Sequence, residues 1–307
     1  MSDRSRAPAE SRSRWFPLVW VIPGLLVLFV LIVIVGRLVA GLAPVQSFML
    51  RYPGQLPLPA DAPVGFPAWV NVQHFLNSFL LLFIVRTGWQ LRTGGRPSAF
   101  WMRRNDGLLR TRNSPVRIGM PLWFHLSLDA LWVLNGLVYY VLLFSTGQWM
   151  RLVPLDWAVV PNALSTAIQY ATLYWPTDDG WNNYNALQVL SYFATVFVAA
   201  PLALITGLRM TPGLAGRLAF LDRAFPIRLA RAIHWPVMLW FVLFTAVHLT
   251  LVLATGAVRN LNHMYAGRDD GSLWGALVFV VSIVVLAIAW VVLRPPVLVR
   301  IAQLSGT

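Results

Sequence analysis

Six apolar stretches, each about twenty residues long or longer and broken by few polar positions, divide the chain. They cover about 16–39, 67–91, 120–146, 186–208, 231–256 and 273–293. A helix crossing a hydrocarbon layer about 30 Å thick needs roughly 20 such residues, whereas a barrel strand needs only about 9–11. The pattern therefore predicts an all-α integral membrane protein with six transmembrane helices. The first stretch, Phe16 to Gly36, is too long for a signal-peptide core and lacks a convincing small-residue cleavage site, so it reads as a helix.

The polar residues between these runs set the orientation. All 24 basic residues are arginine. They concentrate in the N-terminal tail (Arg4, Arg6, Arg12, Arg14), the 92–117 loop, the 209–231 segment and the C-terminal end, while Asp61, Asp156, Asp178, Asp179, Asp269 and Asp270 fall in the alternate loops. By the positive-inside rule both termini are cytoplasmic and the 147–185 loop, with Trp175, Trp181 and Tyr184, is outside. The net charge of +13 therefore reflects membrane topology and not a nucleic-acid-binding face. Composition agrees: 58% of residues are hydrophobic and 11% charged, against about 25% charged in soluble domains. The absence of cysteine excludes disulfides, iron–sulfur clusters, thiolate zinc sites and covalently attached haem.

Four of the five histidines, His74, His125, His234 and His248, fall within the apolar runs, where an imidazole is costly and normally faces the bundle interior. Taken singly, each reads equally well as a polar residue bonded across helices. Their arrangement says more. His234 and His248 are 14 residues apart in one run, which at 100° per residue is four turns less about 40°, so they share a face and sit about 21 Å apart. The second run passes inward and the third outward, placing His74 near the outer side and His125 near the inner side. The depths then pair His74 with His248 outside and His125 with His234 inside. Two facing imidazoles at matched depth, twice over, are the ligand set of two non-covalent bis-histidine haems b.

The His234–His248 helix, preceded by two runs with one histidine each, resembles the b-type cytochrome subunits of bacterial nickel–iron hydrogenases and formate dehydrogenases, within the bacterial di-haem cytochrome b561, or cytochrome b/b6-domain, family. The segments 71–79 (AsnValGlnHisPheLeuAsnSerPhe), 133–139, 184–188 and 260–264 look like the branch that accompanies periplasmic molybdopterin oxidoreductases, including thiosulfate-reductase-like ones. The resemblance covers roughly 66–295 and implies a four-helix haem-binding core there. It also makes 15–42 an additional N-terminal transmembrane helix, with a disordered cytoplasmic tail over 1–14 and a second cytoplasmic tail over 296–307.

Other polar and small residues carry two readings each. Asp129, one turn after His125, is either a proton carrier at a quinone pocket or the ion-pair partner of Arg86; buried acids in membranes usually pair, which favours Arg86. Arg86, Arg209 and Arg231 either bind haem propionates or snorkel to headgroups. His263, in an outer loop, is by default solvated, with contact to a propionate, a quinone or a partner protein as the functional alternative. Gly88, Gly136 and Gly207 admit either a flat macrocycle or close helix packing.

The expectation is thus an electron-transfer subunit with two haems b and no substrate chemistry of its own. It links menaquinone or ubiquinone to a periplasmic molybdopterin or similar oxidoreductase at the inner membrane of a bacterium. A proton-coupled transporter using the same intramembrane residues is the alternative, although inverted repeats and broken helices are not evident. An anchor with satisfied core histidines is a third, and it leaves the depth pairing unexplained.

Overall fold

The computed structural model describes residues 16–106, 110–111, 114–175, 179–212 and 219–307. The expected tail over 1–14 lies outside the described residues. Among the described residues twelve α-helices follow one another: α1 (Phe16–Ala40), α2 (Ala43–Arg51), α3 (Ala68–Thr93), α4 (Met120–Ser145), α5 (Val159–Ala171), α6 (Ala186–Phe193), α7 (Ala200–Met210), α8 (Ala219–Ala224), α9 (Ile227–Ala254), α10 (Ala257–Leu261), α11 (Trp274–Val292) and α12 (Pro295–Ala302). One two-residue antiparallel ladder joins β1 (Phe100–Trp101) to β2 (Ile118–Gly119).

Among the described residues six spans are long and apolar enough to cross a bilayer: α1, α3, α4, the continuous Ala186–Met210 run, α9 and α11. The chain is an all-α, multi-pass integral membrane protein, as the hydropathy pattern requires. Large apolar side chains such as Leu131, Leu134, Leu137 and Val141 on α4 point outward, and α1 exposes apolar side chains around its circumference. Such faces are stable against lipid and not against water.

The starts and breaks of the spans follow local chemistry. Pro67 and Pro226 cap α3 and α9, where a missing N–H costs nothing. Asn185 opens α6 with a reciprocal capping box: its side chain accepts from Gln188 N at 2.9 Å, and Gln188 Oε1 accepts from Asn185 N at 3.0 Å. Between α6 and α7 the helix widens into a π-turn over Ala194–Ala199. Pro201 lies just beyond it; its ring would crowd the carbonyl four residues back, and the extra residue of a π-turn relieves that conflict. Tyr140 of α4 donates to the Val196 carbonyl in this turn at 2.6 Å.

α3 packs on α4, α7 packs on α9, and α3 touches α9, giving a four-helix core. Phe83, Leu80, Phe124 and Leu128 fill the α3–α4 seam together with Leu298 and Ala302 of α12. The 303–307 segment then pairs with the residues just after β1, Met102 and Thr307 exchanging backbone hydrogen bonds of 2.9 Å each. α1 stands apart from the core and touches α5 and α2.

The bundle has two unlike ends. One, here called the arginine-rich end, carries the 94–119 and 211–226 connections and α12. The loop-rich end carries α2, α5, α10 and a second π-turn over Asn262–Ala266. At the loop-rich end Asn262 is fully buried and organises the entry to α11. Its Nδ2 donates to the Asp270 carbonyl at 2.9 Å and the Ser272 carbonyl at 2.5 Å, while its Oδ1 accepts from Gly275 N at 2.7 Å. The N-cap of α11 is Leu273, which offers no side-chain acceptor, so Asn262 caps this helix from a distance. Gly275 is required there, because a Cβ would overlap the Leu261–Asn262 backbone.

Asn262→Ala removes that cap and leaves a buried N–H unpaired, a loss of about 1–3 kcal/mol. A lowered midpoint of thermal unfolding in detergent is expected; an unchanged midpoint would contradict the remote-cap assignment.

Candidate functional site

α9 carries two of the four intramembrane histidines on one face: His248 faces His74 of α3, and His234 lies toward the end where α4 carries His125. At the loop-rich end, His74 of α3 faces His248 with ring centroids 6.3 Å apart and an interplanar angle of 55°. Aromatic rings wall this pair. Phe244 stacks on His248 at 5.5 Å and 5°, Tyr192 meets it edge-on at 6.1 Å, and Tyr265 of the second π-turn meets His74 edge-on at 5.4 Å. Three polar atoms on this end of α3, Trp69 Nε1, Gln73 Oε1 and His74 Nδ1, are buried without a hydrogen-bond partner. Unpaired buried polar atoms are uncommon, and three within six residues mark the place.

At the arginine-rich end, His125 of α4 and His234 of α9 lie within electrostatic reach of one another. Gly88 of α3 is where the helices converge: a Cβ there would stand 3.5 Å from His125 Cε1 and 3.4 Å from Met238 Sδ, one turn beyond His234. A Cβ on Gly207 would stand 3.7 Å from His234 Cε1. Each histidine is met by a threonine. Thr87 Oγ1 lies 2.7 Å from His125 Nδ1, and Thr206 Oγ1 lies 2.7 Å from His234 Nδ1.

These threonines are absent from the sequence-based site. Their trace in the sequence is a repeated Thr-Gly pair, Thr87-Gly88 and Thr206-Gly207, near the arginine-rich ends of two spans. Threonine in a helix is ordinarily satisfied by its own i−4 carbonyl, so neither one draws notice alone.

The expected Arg86–Asp129 ion pair does not form. Thr87 faces His125, so Arg86, one residue and about 100° away, points toward α11. There its guanidinium lies 4.3 Å over the Trp290 ring and donates to the Trp290 carbonyl at 3.3 Å. Asp129 instead stands over His125, one turn earlier on the same helix, with Oδ2 at 3.6 Å from Nε2. Arg231 is exposed on the first turn of α9, whereas Arg209 is buried, bonded to the Phe225 carbonyl at 2.6 Å and paired with Asp222. Gly136 lies eleven residues after His125, three turns and about 20° on, so it shares the histidine face. Space is open around it within 4 Å.

His263 is not a solvated loop residue. It is buried, stacked on Phe66 at 6.0 Å and packed on Trp181 at 5.2 Å, with Nε2 2.7 Å from Asp269 Oδ1. Tertiary contacts turn it inward: Asn71 Nδ2 donates to the carbonyls of His263 at 3.2 Å and Met264 at 2.8 Å, so the π-turn is tied to α3 three residues before His74. Arg259 bridges Asp269 at 3.0 Å and Asp179 at 2.7 Å, joining this turn to the 147–185 loop. Arg151, also buried, braces the same region by donating to the Gly65 carbonyl at 2.8 Å and the Gly180 carbonyl at 2.5 Å. It lies over the rings of Phe66 and Tyr184.

The architecture and site define a class: a polytopic helical membrane protein with two imidazole pairs stacked inside one four-helix core. Over 201 residues the chain is 26% identical to a putative protein-methionine-sulfoxide reductase subunit, YedZ1, of Azospira oryzae, a match spanning 61% of this chain and 88% of that relative. No family model and no solved structure matches the chain.

The hydrogen bond from His263, followed by that from Arg259, holds the Asp269 carboxyl below the usual carboxylate range. A depressed acid contributes stability that is full above its unfolded value, about 3.9, and is lost as pH falls through the lower folded value. Hydrogen exchange in 259–270, corrected for intrinsic rates, should therefore accelerate below about pH 4, and Asp269→Asn should remove that acid step. Exchange insensitive to acid in the parent protein would contradict the coupling.

Proposed function

We propose that this chain is a membrane-embedded electron-transfer subunit holding two non-covalent haems b, one at each histidine pair. The observation that carries this reading is the facing geometry of His74 and His248. Their ring centroids stand 6.3 Å apart, a separation at which one metal ion would be held by a nitrogen from each ring. Among the described residues no third histidine or acid gathers with another two. Two imidazoles per site therefore suit a metal whose four remaining positions are filled by a macrocycle.

The residues fit such a group in other respects. The orphaned Trp69, Gln73 and His74 atoms await polar partners at the loop-rich site, and open space borders Gly136 on the histidine face. Aromatic rings around His74 and His248 exclude water and offer flat apolar walls. When bound, each haem supplies a one-electron couple. The chain's part is to fix depth: His234 and His248 stand about 21 Å apart along α9, dividing a crossing of about 30 Å into short steps. Gly88 and Gly207 keep the surfaces beside His125 and His234 low. Asp129, beside His125 and half-buried, is placed to carry a proton for a quinone at that end. Arg231, exposed on α9 three residues before His234, is the cationic side chain available to a propionate there, whereas Arg86 is taken up by Trp290.

The arginine distribution puts the arginine-rich end in the cytoplasm of a bacterial inner-membrane protein. Menaquinone or ubiquinone is the redox partner within the membrane. The other redox partner is a periplasmic oxidoreductase of the molybdopterin type, docking at the loop-rich end, where the buried His263 braces Trp181 and the described part of the 147–185 loop from beneath. The relative being named a reductase subunit supports a partner that carries the substrate chemistry.

His74→Ala and His248→Ala should each leave one haem per chain, the one at the arginine-rich end, and His125→Ala and His234→Ala should leave the other. A spectrum shared by His74→Ala and His234→Ala would break the pairing. Reporter fusions after residues 105 and 165 should report cytoplasm and periplasm; the reverse result would invert the orientation and the docking side with it.

A further inference from the structure

The two histidine pairs are backed differently. Thr87 has one hydroxyl proton, and its Oγ1 stands 2.8 Å from the Phe83 carbonyl, which takes that proton. Thr206 does the same with the Leu202 carbonyl at 2.5 Å. Each oxygen is then left as an acceptor for the histidine Nδ1 at 2.7 Å. Both histidines therefore carry their proton on Nδ1 and present an unprotonated Nε2, that of His125 with Asp129 Oδ2 at 3.6 Å. At the loop-rich pair, His74 Nδ1 is buried without a partner, and rings rather than hydroxyls surround the imidazoles.

An acceptor on the remote N–H of an imidazole leaves more charge on the coordinating nitrogen, which favours the oxidised metal. We infer that Thr87 and Thr206 are positioning residues that set the site at the arginine-rich end to the lower reduction potential of the two. The inference rests on the two-haem reading and adds to it a direction. With a haem held at each pair, one electron at a time would pass downhill from the His125–His234 site to the His74–His248 site. The quinol supplies the electron and the oxidised partner enzyme accepts it.

The test is a potentiometric titration of the purified full-length chain in detergent, after haem per chain has been quantified. Two midpoint potentials are expected, and His125→Ala should abolish the lower one. Thr87→Val and Thr206→Val, which act on opposite axial ligands, should each raise the lower potential and leave the higher one in place. The shift is a change of up to about tenfold in the ferric-to-ferrous ratio, about 59 mV for a one-electron couple. Thr87→Ser keeps the hydroxyl and should restore the parent value, which a purely packing role would not. Unmoved potentials in both valine variants, or loss of the higher potential in His125→Ala, would overturn the inference. Fewer than two haems in the parent protein would instead fail the two-haem reading, and the inference would fall with it.

Discussion

An imidazole within hydrocarbon costs free energy unless its polar atoms are engaged, and this chain places four of them inside its helical core. The rest of the architecture answers that constraint. α9 is long enough to carry two histidines on one face, about 21 Å apart. α3 and α4 run antiparallel beside it and bring His74 to one depth and His125 to the other. Hydrogen bonds between transmembrane helices contribute only about 0.6 kcal/mol each on average, so isolated contacts such as Asn77–Asn135 cannot by themselves fix this register. Packing at the Phe83–Phe124–Leu298 seam and the buried loop networks hold it in place.

The two ends of the molecule solve the same problem with different chemistry. Hydroxyls engage the histidines at the arginine-rich end, through threonines that also close their own helical turns. At the loop-rich end the imidazoles meet Tyr265, Tyr192 and Phe244, and a layer of buried polar residues lies above them. Asn262, His263, Arg151 and Arg259 tie the second π-turn, the 147–185 loop and the start of α11 into one piece. A rigid cover over one site and a polar backing at the other give the bundle a direction that four histidines at matched depths do not have by themselves.

Much of this was readable beforehand. Span limits follow from apolar length and from prolines at helix starts, and α4 runs over Met120–Ser145 where the pattern predicts 120–146. The His74–His248 contact follows from counting turns and alternating span direction. Side-chain direction at single positions was harder to read. Arg86 and Asp129 occupy similar depths on neighbouring helices, yet a rotation of about 100° sends the arginine to Trp290 on α11 and leaves Asp129 beside His125. His263 looked solvated because its burial depends on Phe66 and Trp181, both distant in the chain. Thr87 and Thr206 were invisible for the opposite reason: their local bonding is ordinary, and only the facing helix gives it a use.

The most direct measurement is a dithionite-reduced minus air-oxidised spectrum of the purified chain, made with ample haem supply, together with extraction and quantification of haem. The paired geometry predicts the absorption bands of six-coordinate b-type haem and two haems per chain. Protein that is folded and monodisperse but carries no haem would contradict the account and leave the stacked imidazoles as a proton-relay or structural feature.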